Sequence, residues 1–324
     1  YLNALINSFF IYIFNYDILS IYISSSFFYF FSILFLAIIS KSLSSFYAFI
    51  LTIIILIFNH PVPEYPWPNY TAYFFLVLSI YFFNTDNNKN LFLSGFLLSI
   101  ACLVRENFYY GILPTLFFIN IFLYMFTRNK IKNIYLLSGY FIPIIIFFIY
   151  LISNNIFLNW YDFQKLPFIY LDRLDTNFLN LLFNFILFFL SDSFFGIIYE
   201  PQYITISIIL LFNFYVILEE LFFKKKKNIK IIFIGLVCLS SCVVSIGLDI
   251  FRLYTSVSIG LPLVFYKLNM FKNNDNKVII IFVLLFLALY SMINYPLGNV
   301  KFFQKIDYQN SITNKNIHFF KNQK

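Results

Sequence analysis

The feature that most constrains this chain is how rarely its apolar runs are interrupted. Stretches such as FFYFFSILFLAII at 27–39 and VIIIFVLLFLALY at 278–290 carry no charge. Similar runs follow one another along most of the sequence, parted by short polar breaks. Apolar residues make up 61% of the chain and charged residues 11%, against roughly half and a quarter in a soluble domain. A water-soluble fold has too little interior to hide such a share. The bilayer is therefore expected to be the solvent for most of the chain.

The runs lack the alternation of barrel strands, so helices must satisfy the backbone in lipid. At about 20 residues per crossing they predict spans near 1–15, 19–39, 45–58, 70–83, 91–104, 107–126, 133–152, 202–222, 231–248, 253–267 and 278–294. The expected fold is an all-α polytopic membrane protein of about 11 transmembrane helices, with short cytoplasmic loops and an irregular extracytoplasmic face. Residues 1–294 form the membrane domain and 295–324 a short polar tail. An apolar stretch near 177–190 must lie flat, re-enter or pair with a second short crossing if the alternation of sides is to hold. The chain opens at Tyr1, without Met and already inside an apolar run. No basic start or cleavage site of a signal peptide is seen, and the chain reads as a piece whose N-terminal part lies upstream.

Lysine and arginine set the orientation. With the run Lys224–Lys227 in the cytoplasm, alternation places Lys41, Lys89, Arg128, Lys130, Lys132, Lys230, Lys267, Lys272 and Lys277 on the same side. The opposite side keeps Arg105, Lys165, Arg173 and Arg252 and most of the acids. The tail brings five lysines to that outer side, against the rule but far from a span. The net charge of +8 is thus mainly cytoplasmic anchoring in a multi-pass protein of the bacterial inner-membrane type. No basic patch interleaved with aromatics suggests nucleic acid. Neither a Gly-rich phosphate loop nor HExxH nor GxSxG is present. Cys102, Cys238 and Cys242 sit inside apolar runs, in no zinc or redox pattern.

Phe, Ile, Asn, Lys and Tyr have AT-rich codons, so the rarer residue types carry more meaning here. They gather on the outer face. Arg105 and Glu106 stand between two spans with almost no loop. An arginine at that depth calls for an anionic partner, either a neighbouring acid or a lipid phosphate, which suits its forked donors. Arg252, with Asp249 before it and Tyr254 after, poses the same choice or simply snorkels. HPVPEYPWPNY at 60–70 holds four prolines. It is expected to run as polyproline II, with Glu64, Trp67 and Tyr70 along one edge and His60 and Asn69 along another. A carboxylate beside aromatic faces is sugar-site chemistry, and Trp and Tyr at headgroup level are equally an interfacial belt. NYT at 69–71 also matches the N-glycosylation triplet.

The blocks SGFLLSIACLVRENFYYGILPTLFF and DIFRLYTSVSIGLPLVF resemble segments of the GT-C superfamily of membrane glycosyltransferases, which includes the dolichyl-phosphate-mannose protein mannosyltransferases. Gly95 and Arg105 fill places where that superfamily has a glycine-containing span ending in a basic residue. Arg252, Tyr254 and Pro262 match a later segment, with Leu253 departing from its Arg-Tyr form. The resemblance implies a polyprenyl-phosphate-linked sugar as donor and a glycan, lipid or protein acceptor on the extracytoplasmic face. It also implies transfer without a metal or with a divalent metal ion, and a catalytic acid in a loop upstream of Tyr1. On this reading Arg105, Arg252 and Tyr254 bind the lipid phosphate, and His60, Glu64, Trp67, Tyr70 and Glu106 meet sugar or acceptor. The alternatives are a lipid-linked glycan polymerase or ligase, a flippase or transporter of a lipid-linked sugar, and a membrane protein with no such site.

Overall fold

The computed structural model describes residues 2–15, 17–59, 68–85, 87–127, 130–162, 202–245, 250–271 and 274–294. The loop residues His60, Glu64 and Trp67, the stretch near 177–190 and the tail at 295–324 lie outside the described residues. The described residues are helical almost throughout, with no strand among them. In chain order the helices are α1 (Leu2–Phe14), α2 (Asp17–Leu43), α3 (Phe46–Asn59), α4 (Pro68–Phe83), α5 (Asn88–Val104), α6 (Tyr109–Thr127), α7 (Lys130–Ser153), α8 (Gln202–Leu218), α9 (Ile229–Ser245), α10 (Ile250–Ser258), α11 (Leu261–Met270) and α12 (Asn274–Asn294). Three segments, Ile18–Leu43, Lys132–Ser153 and Ile204–Phe223, are long and apolar enough to cross a membrane.

Local chemistry explains where several helices start and stop. α4 begins at Pro68, where a missing N–H costs nothing. The Asn87 side chain caps α5 by accepting from the Lys89 N–H. Two expectations need correcting. The polyproline edge does not extend to Tyr70, because Pro68, Asn69 and Tyr70 already belong to α4. The run at 253–267 is not one helix but two, α10 and α11, divided at Ile259–Gly260. Pro262 cannot donate into a continuous helix and instead sits in the first turn of α11. The Asn213 side chain of α8 fills the notch: a Cβ built on Gly260 would stand 1.9 Å from its Nδ2.

The closest helix crossing joins α5 to α7. A Cβ added to Gly95 would lie 2.1 Å from the Leu136 carbonyl oxygen, and one added to Gly139 would lie 2.1 Å from that of Phe92. Each glycine opens the space that the other helix's backbone fills. α4 lies on the next flank of α5, where the Ser79 and Ser94 hydroxyls meet at 2.9 Å. α2 packs on α4 and carries α1, α3 and α11. α6 packs on α9, with Gly111 against the Ser240 carbonyl and Thr115 donating to the Leu236 carbonyl at 3.4 Å.

Small polar side chains are buried along these contacts, including Ser24, Ser32, Ser40, Ser79, Ser94 and Ser99. Large apolar ones stand exposed on the other faces: Phe117, Phe118 and Tyr124 on α6, and Ile145, Ile146 and Ile149 on α7. This is the pattern of helices that associate in hydrocarbon, where close approach of small residues replaces the hydrophobic push and bulky aliphatics turn outward. In water the same exposed surface would drive aggregation.

The Gly95–Gly139 crossing leaves no room for a methyl group. Gly95→Ala and Gly139→Ala should each destabilise the fold by about 1–3 kcal/mol. The measurement is the temperature at which the buried Cys102 thiol of α5 becomes reactive in detergent. Ser138→Ala, one position from Gly139, should leave that temperature nearly unchanged.

Candidate functional site

Helix ends sort into two chemically different groups. At one end the chain passes from α5 into α6 through Arg105 and a 3-10 turn, Glu106–Phe108. Arg105 turns extended at φ −133° and ψ 96°, while its N–H still closes the last turn of α5 on Ala101 at 3.0 Å. The Phe108 N–H then bonds the Arg105 carbonyl at 3.0 Å. This brings the Arg105 and Glu106 side chains to the bundle end, both half-buried. Oε1 of Glu106 accepts the Trp160 indole N–H at 3.0 Å. The Trp160 ring stands edge-on to Phe148, with centroids 5.4 Å apart. Trp160 was not among the expected site residues, though it is one of only two tryptophans in the chain and lies beside a polar stretch.

Two expected site residues sit deeper than their sequence context suggested. Tyr70 is 1% exposed and packs against the Tyr29 ring at 5.3 Å. Tyr254 is also 1% exposed, its hydroxyl beside the buried Asn59 amide. Tyr73 joins them, its hydroxyl 2.5 Å from that of Ser258 on α10. These phenols pack between α2, α4 and α10. Arg252 belongs to α10, with its side chain outside the described residues. His60, Glu64 and Trp67 also lie outside them.

The opposite end gathers the end of α4, the start of α5, the end of α6, the start of α7, the α8–α9 connection and the end of α11 around a cavity of about 480 Å³. A π-helical turn, Glu219–Phe223, closes α8, with the Lys224 N–H bonded to the Glu219 carbonyl at 3.0 Å. Two adjacent acids then meet two adjacent residues of α11. Both Glu219 oxygens accept from the Lys267 ammonium, at 2.8 and 2.6 Å. Glu220 is fully buried, and it pairs with Lys224, accepts the Asn228 N–H at 3.0 Å and faces the Tyr266 hydroxyl at 3.5 Å. Lys224 also donates to Tyr266 at 3.0 Å, and Lys267 lies 4.8 Å above the Tyr215 ring. The spacing of Glu220 and Lys224 is a helical i,i+4 pair that the sequence displays. The Glu219–Lys267 pair joins distant segments and has no such mark.

Partial burial lowers the Lys224 ammonium's pKa, but its hydrogen bonds to Glu220 and Tyr266 outweigh that and hold it above the ordinary 10.5. Among the described residues no group of three or more His, Cys, Asp or Glu side chains is placed to hold a metal ion. Cys102, Cys238 and Cys242 are buried free thiols.

Replacing Glu220 leaves Lys224 and the Asn228 N–H without their charged acceptor. Glu220→Gln should cost about 1.5–3 kcal/mol, read as a lower unfolding temperature in detergent at neutral pH. A raised lysine pKa gives stability that is complete below pH 10.5 and fades as pH climbs through the higher folded value. The gap between wild type and Glu220→Gln should therefore hold constant through neutral pH and narrow above pH 10.5.

No family model, no curated protein and no solved structure matches this chain, so the site is read from its own chemistry.

Proposed function

We propose that this chain is an integral-membrane glycosyltransferase domain that moves a sugar from a polyprenyl-phosphate donor to an acceptor on the extracytoplasmic side. The observation that carries the reading is the Arg105–Glu106 junction. A guanidinium and a carboxylate stand half-buried at one helix junction, and an indole N–H holds the carboxylate. That junction interrupts the chain between α5 and α6 at the lysine-poor end of the bundle. The resemblance of the two blocks around Arg105 and Arg252 to GT-C segments supports the same reading.

The chemistry required is simple to state. As the sugar–phosphate bond breaks, negative charge builds on the departing polyprenyl phosphate. Arg105 meets that charge with its forked donors. Glu106, oriented by Trp160, accepts from a hydroxyl of the sugar or acceptor. Arg252, at the start of α10, is assigned a second contact to the phosphate. The base that takes the acceptor proton is not assigned to a residue of this chain. The remaining helices are proposed to cross the membrane in alternation, about eleven in all, with α10 and α11 together making one broken crossing. Breaks of this kind are tolerated at membrane depth where protein surrounds them, and Asn213 surrounds this one.

Transfer measured in proteoliposomes from a radiolabelled polyprenyl-phosphate sugar tests the reading. Arg105→Ala should lower the rate by about 10²–10³-fold, and Arg105→Lys should recover part of it because one charge remains without the fork. Trp160→Phe should act on the rate through Glu106 while the unfolding temperature stays close to wild type. An Arg105→Ala protein that folds and transfers at the wild-type rate would remove the proposal's main support.

A further inference from the structure

The break between α10 and α11 has no part in the chemistry assigned to Arg105, and it is lined by oxygen. It lies inside the bundle, with every residue from Leu253 to Phe265 buried. Pro262 has no N–H to give, and the carbonyl it deprives is that of Ser258, one helical turn before it. Among the described residues no donor reaches that carbonyl. Asn213 of α8 brings a second bare acceptor to the same place. Its side chain is fully buried, its Nδ2 donates to the Ile209 carbonyl at 2.7 Å, and its Oδ1 has no partner among the described residues. That oxygen stands 2.7 Å from the point where a Cβ of Gly260 would be. We propose that the break is a binding site for a small monovalent cation of the alkali-metal class, held between Asn213 Oδ1 and the Ser258 carbonyl.

The surroundings favour a cation over an anion. α10 ends here, and the last carbonyls of a helix carry its negative pole. The donors nearby are already committed to other carbonyls. The Ser258 hydroxyl donates to Thr255 at 2.7 Å, the Ser241 hydroxyl to Ser256 at 3.3 Å and the Cys238 thiol to Val257 at 3.5 Å. The Gly260 N–H takes the Val257 carbonyl at 2.8 Å. The positive pole at the start of α11 is blunted, because Pro262 supplies no N–H and that of Leu263 is turned onto the Gly260 carbonyl at 3.0 Å. Two buried acceptors without a donor cost free energy. Unwound carbonyls at the end of a half-helix can instead replace the hydration shell of a cation.

The ligand set also decides the charge of the ion. Glu219 and Glu220 lie about 9 Å further along α8 from Asn213 and are committed to Lys267 and Lys224. The oxygens named at the break are neutral. They suit a monovalent ion, whereas a divalent one takes carboxylates and would be costly to bury without them. Bound there, the ion joins α8 to the end of α10, as Glu219 on Lys267 joins it to the end of α11. Occupancy therefore registers as stability of the fold.

The probe is the ion itself. Purified protein in neutral detergent at mildly alkaline pH is titrated with sodium chloride and, separately, with potassium chloride, while choline chloride holds the ionic strength constant. The readout is the unfolding temperature. Sodium, potassium or both should raise it along a saturating curve, as a ligand that binds only the folded state does. The apparent affinity is read from that curve, and the more effective ion gives the size the site prefers. Asn213→Leu keeps the bulk of the wedge and removes the oxygen, so the rise should vanish. Asn120→Leu on α6 removes another amide oxygen that is buried without a partner among the described residues, and it should keep the rise. Should Asn213→Leu not fold, Asn213→Asp supplies the same oxygen with a charge and should tighten the apparent affinity about tenfold. The proposal is overturned if no alkali ion gives a saturating rise beyond choline, the outcome expected of an ordered water at the same acceptors. It is equally overturned if Asn213→Leu keeps the rise, if Asn120→Leu abolishes it as well, or if Asn213→Asp binds no more tightly than wild type.

Discussion

The packing of α5 on α7 depends on two absent side chains. Gly95 and Gly139 let the two helices approach until each backbone occupies the other's Cβ position. In lipid, where burial of oil against oil gains little, contact between backbones is one of the few strong forces available. The Ser79–Ser94 contact then seats α4 on α5, and α4 in turn bears on α2 and α10 through Tyr70 and Tyr73. Loosening the glycine crossing would therefore shift both bundle ends, since α5 runs from the lysine-rich cavity to the Arg105 junction.

The two ends differ in how they handle charge. At the lysine-rich end, two adjacent acids are paired with cations, Glu219 with Lys267 and Glu220 with Lys224. Their first effect is mechanical: Glu219 on Lys267 and Glu220 against Tyr266 tie the end of α8 to α11. At the other end, Arg105 and Glu106 share one junction, with Trp160 holding the acid. A guanidinium beside an oriented carboxylate suits a reacting centre, where geometry matters more than total charge.

Much of this was legible in the sequence. Most of the expected apolar runs outside 177–190 fall on described helices, with 253–267 divided between α10 and α11 and 231–248 described only to Ser245, because hydropathy leaves few alternatives. Counting lysines grouped the helix ends as the cavity lining groups them. The failures are equally physical. The break at 259–260 leaves hydropathy untouched, since Gly260 and Pro262 interrupt a backbone and not an apolar run. The wedge that fills it, Asn213, lies on another helix. Tyr70 and Tyr254 look identical as belt or core residues. Their burial beside Tyr29 and Asn59, remote in sequence, leaves no mark in the chain order. Trp160 stands in plain view, but its partner Glu106 is remote in sequence, and only the path of the chain beyond α7 brings the two together.

The central claim is that these two ends lie on opposite faces of one membrane. The native cysteines are buried, so one introduced thiol at a time reports its own side. Ser153→Cys, exposed at the end of α7, and Lys225→Cys, exposed in the lysine run, can be treated in intact cells with a membrane-impermeant maleimide. The account predicts that Ser153→Cys labels from outside and that Lys225→Cys labels only after the membrane is opened. Labelling of both from the same side would contradict it.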